Sequence, residues 1–326
     1  MRKMLFGVGV VLAAAGFAAA ASAQQIVGIG TNPQGSFTYP VGAAIAKVLE
    51  EKAQITSRVQ PSAGSSNNIP MVNRGELELA LITVDDANIS YTGTDEFAGK
   101  PNPNIRLLGV MFPLPVGMLV LNSSPYKKIA DLKGTRIPSE FPGQTTGKKL
   151  TSLVLAYGGL SYADVHAVPA TNLFKGAEML GQGKVDGAMI GVGSAQVQQA
   201  QLDAQSRGGV RFISLDDTPQ NKALTRKMYP GGYMELFEPA PQLVGVIGPT
   251  RVFSFSEFLI ASAKLPDELV YRMTKAIYEN KPALAEASPP LRRFEPRFMA
   301  EANPVPYHSG AEKFYREVGL WPPKER

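Results

Sequence analysis

Four stretches of this chain place small and hydroxyl-bearing residues where they can hold a polar guest. They are Gly30-Thr-Asn-Pro-Gln-Gly-Ser36, Ala63-Gly-Ser-Ser-Asn67, Pro142-Gly-Gln-Thr-Thr-Gly147 and Gly191-Val-Gly-Ser194. Each follows a β-type run and precedes a helical pattern. Backbone N–H groups at a helix start lack partners, and the helix dipole favours negative charge there. Glycine lets the backbone come close to a ligand, and Ser, Thr, Asn and Gln add side-chain hydrogen bonds. In parallel α/β sheets such loops gather at the carboxyl ends of the strands, where ligands bind. Taken singly, each loop is an ordinary helix cap. Four in series, split between two units, point to a cleft with a carboxylate as its natural guest.

Other chemistries find no matching residues. Cysteine is absent, which excludes thiol nucleophiles, iron–sulfur clusters and thiolate zinc sites. The two histidines, His166 and His308, lie far apart and make no metal-ligand spacing. Gly30 to Gly35 has phosphate-loop spacing, but Ser36-Phe37 replaces the required Lys-Ser/Thr. Gly28-x-Gly30 lacks the third glycine of a dinucleotide loop, and no G-x-S-x-G elbow occurs. Asp85-Asp86 and Asp216-Asp217 are read as strand-borne pairs whose side chains point opposite ways, unsuited to shared carboxylate catalysis. His166 lacks a Ser or Cys partner and is read as structural. Phe37, Tyr39, Phe112 and Phe141 flank the loops and are read mainly as core. No cofactor and no metal are expected.

The elements that would carry these loops follow from periodicity. Ile26–Ile29, Ser57–Gln60 and Leu77–Thr83 read as strands, with a helix over Thr38–Ala53 and a short one over Asn68–Asn73. Arg106–Val110 and Val116–Leu121 read as two strands separated by a bend at Phe112-Pro-Leu-Pro115, because proline cannot donate in a ladder. A second series follows. Strands are expected at Thr135–Pro138, Val165–Val168, Gly187–Ile190 and Val210–Leu215. Helices are expected at Thr146–Tyr157, Leu173–Gln182 with Asn172 as its cap, and Ser194 to Ala204. Pro219–Gly232 reads as irregular. Leu243–Ile247 and Phe255–Ala261 read as strands, Leu265–Asn280 as a helix, and Ala311–Val318 as a last one. The alternation predicts α/β units with parallel sheets.

Residues 1–23 predict an export signal. Arg2 and Lys3 precede an apolar run from Met4 to Ala20, and Ala21-Ser22-Ala23 offers a small-x-small cleavage site before Gln24. The mature chain is then exported, acts outside the cytoplasm and is long enough for about two domains. Without Arg2 and Lys3, the 33 basic residues become 31 against 28 acidic ones, a net +3. That mild excess, with no basic run, argues against nucleic acid as a partner.

The ordered set of phrases resembles the TAXI family of solute receptors, the TRAP-associated extracytoplasmic immunogenic proteins. It includes the first Gly-rich loop with Tyr39-Pro-Val-Gly-Ala-Ala-Ile-Ala-Lys47, then Ala63-Gly-Ser-Ser66 and Arg74-Gly-Glu-Leu-Glu-Leu-Ala80. Ile129-Ala-Asp-Leu-Lys-Gly134, Gly183-Lys-Val-Asp-Gly187, Lys275-Ala-Ile-Tyr-Glu-Asn280 and Pro306-Tyr-His-Ser-Gly-Ala311 continue it. The resemblance implies a two-lobed periplasmic-binding-protein-like (type II) α/β fold, each lobe a mostly parallel sheet flanked by helices, with a hinge. Lobe 1 would comprise residues 24–115 plus 246–326, and lobe 2 residues 116–245. It implies a monomeric, non-enzymatic receptor that closes around a small organic anion and serves a TRAP-type membrane permease. Ligand contacts would come from Gly30, Thr31, Gln34, Gly35, Ser36, Phe37 and Tyr39. Gly64, Ser65 and Asn67 would join them, then Thr83 and Asp86. In the second lobe Gln144, Thr145, Thr146 and Gly147 would contribute, with Gly193 and Ser194. The sequence departs from that family's pattern at Asn32-Pro33-Gln34, at Thr83-Val-Asp-Asp86 and at Phe141-Pro-Gly-Gln-Thr-Thr146, so selectivity does not transfer. No arginine lies in these loops, so anion capture would lean on N–H groups and hydroxyls, and an arginine arriving from elsewhere, such as Arg106, stays open. Two alternatives stay open: a secreted hydrolase-like enzyme, and a ligand-sensing module for a membrane kinase.

Overall fold

The computed structural model describes residues 26–142 and 144–324, with Thr145 by its backbone alone. The expected signal segment therefore lies outside the described residues. Among the described residues, ten strands and ten α-helices follow in chain order. The first unit opens with β1 (Val27–Thr31), α1 (Thr38–Ala53), β2 (Ser57–Pro61), α2 (Ser65–Arg74), β3 (Leu79–Thr83) and α3 (Val84–Thr92). The long β4 (Ile105–Leu121) leads to β5 (Arg136–Glu140), α4 (Thr145–Tyr157), β6 (His166–Ala170), α5 (Leu173–Gly181), β7 (Gly187–Gly191), α6 (Ala195–Asp203) and β8 (Val210–Phe212). Then come α7 (Pro219–Met228), β9 (Tyr233–Phe237), the long β10 (Thr250–Ser262), α8 (Asp267–Glu279), α9 (Lys281–Ala287) and α10 (Ser309–Glu317).

The main sheet runs β2-β1-β3-β10-β4-β7, with β8 on β4 and β9 on β10. β1 pairs parallel with β2 and β3, and β5 pairs parallel with β6 in a separate sheet. β10 and β4 are antiparallel to each other; β10 is also antiparallel to β3, and β4 to β7. These two long strands join the halves. β10 meets β3 through Glu257–Ala261, while β4 meets β7 through Val116–Val120. The result is the expected periplasmic-binding-protein-like α/β fold. β1 is buried along its whole length, and α1 covers it with Val41, Ile45, Val48 and Leu49. That is the apolar spacing of an amphipathic helix pressed on a sheet.

Four local expectations need correction. Pro113 and Pro115 do not break the chain: β4 is continuous through them. The Pro115 carbonyl accepts from the Val192 N–H and the Pro113 carbonyl from the Arg293 guanidinium. In a strand a residue's N and C=O face the same side, so both missing donors face away from β10 and cost its ladder nothing. Asp85 and Asp86 are not on a strand but in the first turn of α3, where the helix dipole favours acids. Pro219–Met228 is a helix, started by the Thr218 side chain and by proline in its first turn. Residues 243–247 form turns rather than a strand; the partner of β10 there is β9.

Asn172 caps α5 as its sequence predicts, accepting from the Lys175 N–H at 2.8 Å. That helix carries Leu173 and Phe174 into the cavity described below. Asn172→Ala should lower stability by about 1 kcal/mol. Urea denaturation should show an earlier midpoint with an unchanged slope.

Candidate functional site

The first, second and third loops, and the fourth through Gly191 alone, converge on one cavity at the carboxyl ends of β1, β3 and β7, with a volume of about 60 Å³. From the first unit it is lined by Ser36, Phe37, Gly64, Ser65, Thr83 and Asp86, and from the second by Gln144 and Thr146. All eight were expected contacts. Asn32 and Thr38, neighbours on the first loop, also line it. Apolar walls come from Leu114 and Val116 of β4, Phe255 of β10, Leu150 of α4, Leu173 and Phe174 of α5, and Ile190 with Gly191 of β7.

The other expected contacts are not in that lining. Gly30 is closed in by Leu77 and Asn68; a Cβ there would come within 2.6 Å of Leu77. Thr31 is buried, and its carbonyl accepts from the Asn68 side chain. Gln34 and Gly35 are exposed, and the Gly35 carbonyl accepts from Gln196 of α6 at 3.0 Å. Tyr39 is outside the lining; its N–H donates to Ser36 Oγ. Asn67 is exposed, and Asn68 is the buried member of that pair. Gly147 makes room for Phe141, whose ring would lie 2.9 Å from an added Cβ. Gly193 turns the chain with φ near 79°, and Ser194 caps α6 at the Val197 N–H. The Thr145 side chain lies outside the described residues. Arg106 donates to the carbonyls of Pro103 and Ile105 and is not in the lining.

The charge of the site is opposite to expectation. Among its described lining residues there is no Lys, Arg or His, but two acids are present, Asp86 and Glu257. Asp86 sits in the first turn of α3; its N–H donates to Thr83 Oγ1 at 3.0 Å, and its carboxylate accepts from Ser65 Oγ at 2.7 Å. Glu257 comes from the middle of β10 and is 3 % exposed. Its Oε2 has no hydrogen-bond partner among the described residues. The β4 partner of Glu257 is Phe112 and that of Phe258 is Val110, so Met111 is an extra residue there and the strand bulges beneath the cavity. Burial, and then the Asp86 charge, push the Glu257 carboxyl up to about 8. An anion-binding cleft built only of hydroxyls and N–H groups is therefore not what the residues form. The overlooked signal was a single acid in an apolar strand, Phe253-Ser-Phe-Ser-Glu-Phe-Leu-Ile260.

Behind the cavity, Lys149 of α4 ties the two units. Its ammonium donates to Asp85 at 2.7 Å and to Asp95 at 3.1 Å. Burial pushes Asp85 up to about 6, against the lowering effect of Lys149. Partial burial lowers the Lys149 ammonium, but its bonds and charges with Asp85 and Asp95 more than offset this and hold it above its usual value. The backbone before α4 is also constrained: Glu140 and Phe141 both have positive φ, near 73° and 49°. Such left-handed non-glycine residues persist only where the surroundings fix them; here the Phe141 N–H is held by the Ala170 carbonyl.

The family match fits this architecture. The NMT1-like family model covers residues 29–319. The chain belongs to the NMT1-like family. Similar solved structures include the PhnD1 protein of Prochlorococcus marinus in complex with methylphosphonate (12% identity, 90% of this chain and 98% of that one, TM-score 0.55). A binding protein component of an ABC phosphonate transporter from Pseudomonas aeruginosa shares 9% identity over 83% of this chain and 80% of its own, with TM-score 0.54. A putative periplasmic sulfonate-binding protein of an ABC transporter from Methylobacillus flagellatus shares 17% identity over 90% and 85%, with TM-score 0.50. These likenesses show a fold used by transporter binding proteins, which are not enzymes. They correct the TAXI assignment: the family matched is the NMT1-like one, and the neighbours named for a transporter belong to ABC systems. The recurring phrases that suggested TAXI receptors are largely strand ends, helix starts and turns of this α/β fold, such as the Gly75 helix end and the Gly134 turn.

Two outcomes follow for stability. Glu257 has a folded value above its ordinary 4.5, so the folded state holds the extra proton. Its contribution is intact below about pH 4.5 and is lost as pH rises through about 8. Glu257→Gln should remove that decline, making the variant more stable than the parent by about 2–4 kcal/mol at pH 9 and similar to it at pH 4.5 in denaturant titrations. Lys149→Met leaves Asp85 buried without its cation and should cost about 3 kcal/mol at pH 7.5. The cost should shrink at pH 5, where Asp85 is already neutral.

Proposed function

We propose that this protein is an exported solute-binding protein, which takes a small polar solute into the cavity between its units and delivers it to a membrane transporter. The observation that carries this is the shared lining: Ser65, Thr83 and Asp86 come from the first unit, and Gln144, Thr146 and Gly191 from the second. A solute touching both units stabilises the closed arrangement by its differential affinity for it. The hinge of the proposal lies where β4 and β10 pass between lobe 1 (24–115 plus 246–326) and lobe 2 (116–245). The pattern over residues 1–23 supports export to the periplasm.

Within this proposal the contacts are Ser36, Phe37, Gly64, Ser65, Thr83, Asp86, Gln144 and Thr146. A hydrolytic alternative has little support at this site: the described lining residues hold no His to act as base, and among them Ser65 Oγ meets only the Asp86 carboxylate. The small volume favours a compact solute. About 10–15 Å³ of such space holds one water, so 60 Å³ suits a solute of roughly four to six heavy atoms. The phosphonates and sulfonates of the fold neighbours are not carried over, because the lining described here has no cation to hold them.

Phe37 of the first unit lies against Gly191 of β7, where an added Cβ would meet its ring at 2.5 Å. Gly191→Val should prop the units apart and weaken solute binding at least tenfold. A thermal-shift panel of amines, amino acids, sugars and organic acids tests the role. A solute that raises the melting temperature of the parent, is recovered chemically unchanged, and has little effect on the folded variant supports it. Turnover of the solute, or equal shifts in parent and variant, overturns it.

A further inference from the structure

Resting on the solute-binding role proposed above, we propose that the solute is a compact organic amine, held as its ammonium ion between the carboxyl groups of Glu257 and Asp86. The two acids reach the same cavity from different elements, β10 and α3. Asp86 is oriented by Ser65 and by its place in the helix start. Glu257 is buried and lines the cavity, and its Oε2 has no hydrogen-bond partner among the described residues. A buried polar atom left unmatched is costly, and a cavity-lining one is matched when a ligand supplies the donor. An ammonium has three donors and no acceptor, which suits an acceptor-rich floor.

The rest of the lining completes the argument. Phe37, Leu114, Phe174 and Ile190 form an apolar wall suited to a short alkyl body. A sugar would leave hydroxyls unmatched against that wall. A carboxylate or phosphonate would meet the Asp86 charge with no Lys, Arg or His among the described lining residues to offset it.

Proton linkage distinguishes these guests. The charged and titratable groups near Glu257 are Asp86 from α3 and the buried Tyr229 at the end of α7, with Asp85 and Lys149 beyond Tyr229. Its strand neighbours, Thr83 on β3 and Phe112 on β4, do not titrate. Burial and the Asp86 charge keep Glu257 protonated near neutrality. An ammonium beside it favours the carboxylate, so binding releases a proton to solvent. Affinity then rises with pH, by at most about tenfold per unit, until Glu257 is ionised in the free protein.

The test is calorimetric titration of the purified protein with methylammonium, ethylammonium, propylammonium and ethanolammonium, and in parallel with acetate, propionate, methylphosphonate and glycerol. It is run at pH 6.5 and 8.5 in buffers of different ionisation heat. The expected result is saturable binding of at least one amine, about tenfold or more tighter at pH 8.5, with close to one proton released per amine at pH 6.5. Glu257→Gln should bind that amine at least tenfold more weakly and release no proton, while keeping a cooperative melt. Asp86→Asn should also weaken it, with the proton release retained. Binding of an acid or of glycerol with all amines silent overturns the amine proposal and leaves the receptor role standing. Amine binding without proton release, and unchanged in Glu257→Gln, also overturns it. Silence from all eight solutes overturns the amine proposal and counts against the receptor role as well.

Discussion

The antiparallel pairing of β4 with β10 is the constraint on which the rest depends. Both strands are long, and their register runs from Ile105 with Ser262 to Val116 with Phe253. At one end β10 carries the parallel group β3-β1-β2; at the other, β4 carries β7 and β8. The two halves of the molecule are thus joined by backbone hydrogen bonds rather than by a flexible linker. The cavity lies where these strands pass from one half to the other, with the bulge at Met111 beneath it. Pro113 and Pro115 fit there because their missing donors point away from β10.

An acid in the middle of such a strand is a cost that packing alone does not repay. Glu257 stands among Phe253, Phe255 and Phe258, all fully buried or nearly so, and burial raises its carboxyl to about 8. Asp85 is raised by the same effect, although Lys149 offsets part of it. Of these two desolvated acids, Asp85 is tied to the ammonium of Lys149 on α4, whereas Glu257 lines the cavity beside the charge of Asp86. An acid perturbed by burial and a neighbouring charge, and lining a cleft as Glu257 does, is a candidate for function. The same acids set the sign of the field in the cavity, and that sign is what a solute would meet first.

Family membership and fold agree about the frame and leave the chemistry to the site. The NMT1-like match spans nearly all the described residues. The fold neighbours share only 9–17% identity with this chain, so their ligands say little about its cavity. Ligand chemistry has to be read from Asp86, Glu257 and the apolar wall.

Much of the frame was legible in the sequence, because period and capping are local. Thr38–Ala53 was bounded correctly by its apolar spacing, and Asn172 and Ser194 announced their helices. Eight of the cavity residues were legible for the same reason, since loops after strands must face the carboxyl edge of a parallel sheet. Where local patterns were ambiguous, tertiary pairing decided. Proline looked like a break in β4 until its free flank was known, and Asp85-Asp86 looked like a strand end until α3 was seen to begin at Val84. The charge of the cavity was the least legible feature. Glu257 lies over 170 residues beyond Asp86 in the chain, and only the pairing of β10 with β3 brings them together. The sequence by itself determined the helices, the strands and the loops that could line a site, because hydrophobic period and turn chemistry act between near neighbours. Only the tertiary structure decided which acids share the cavity and that no described lining residue there carries a compensating positive charge, because electrostatics acts through space and not along the chain.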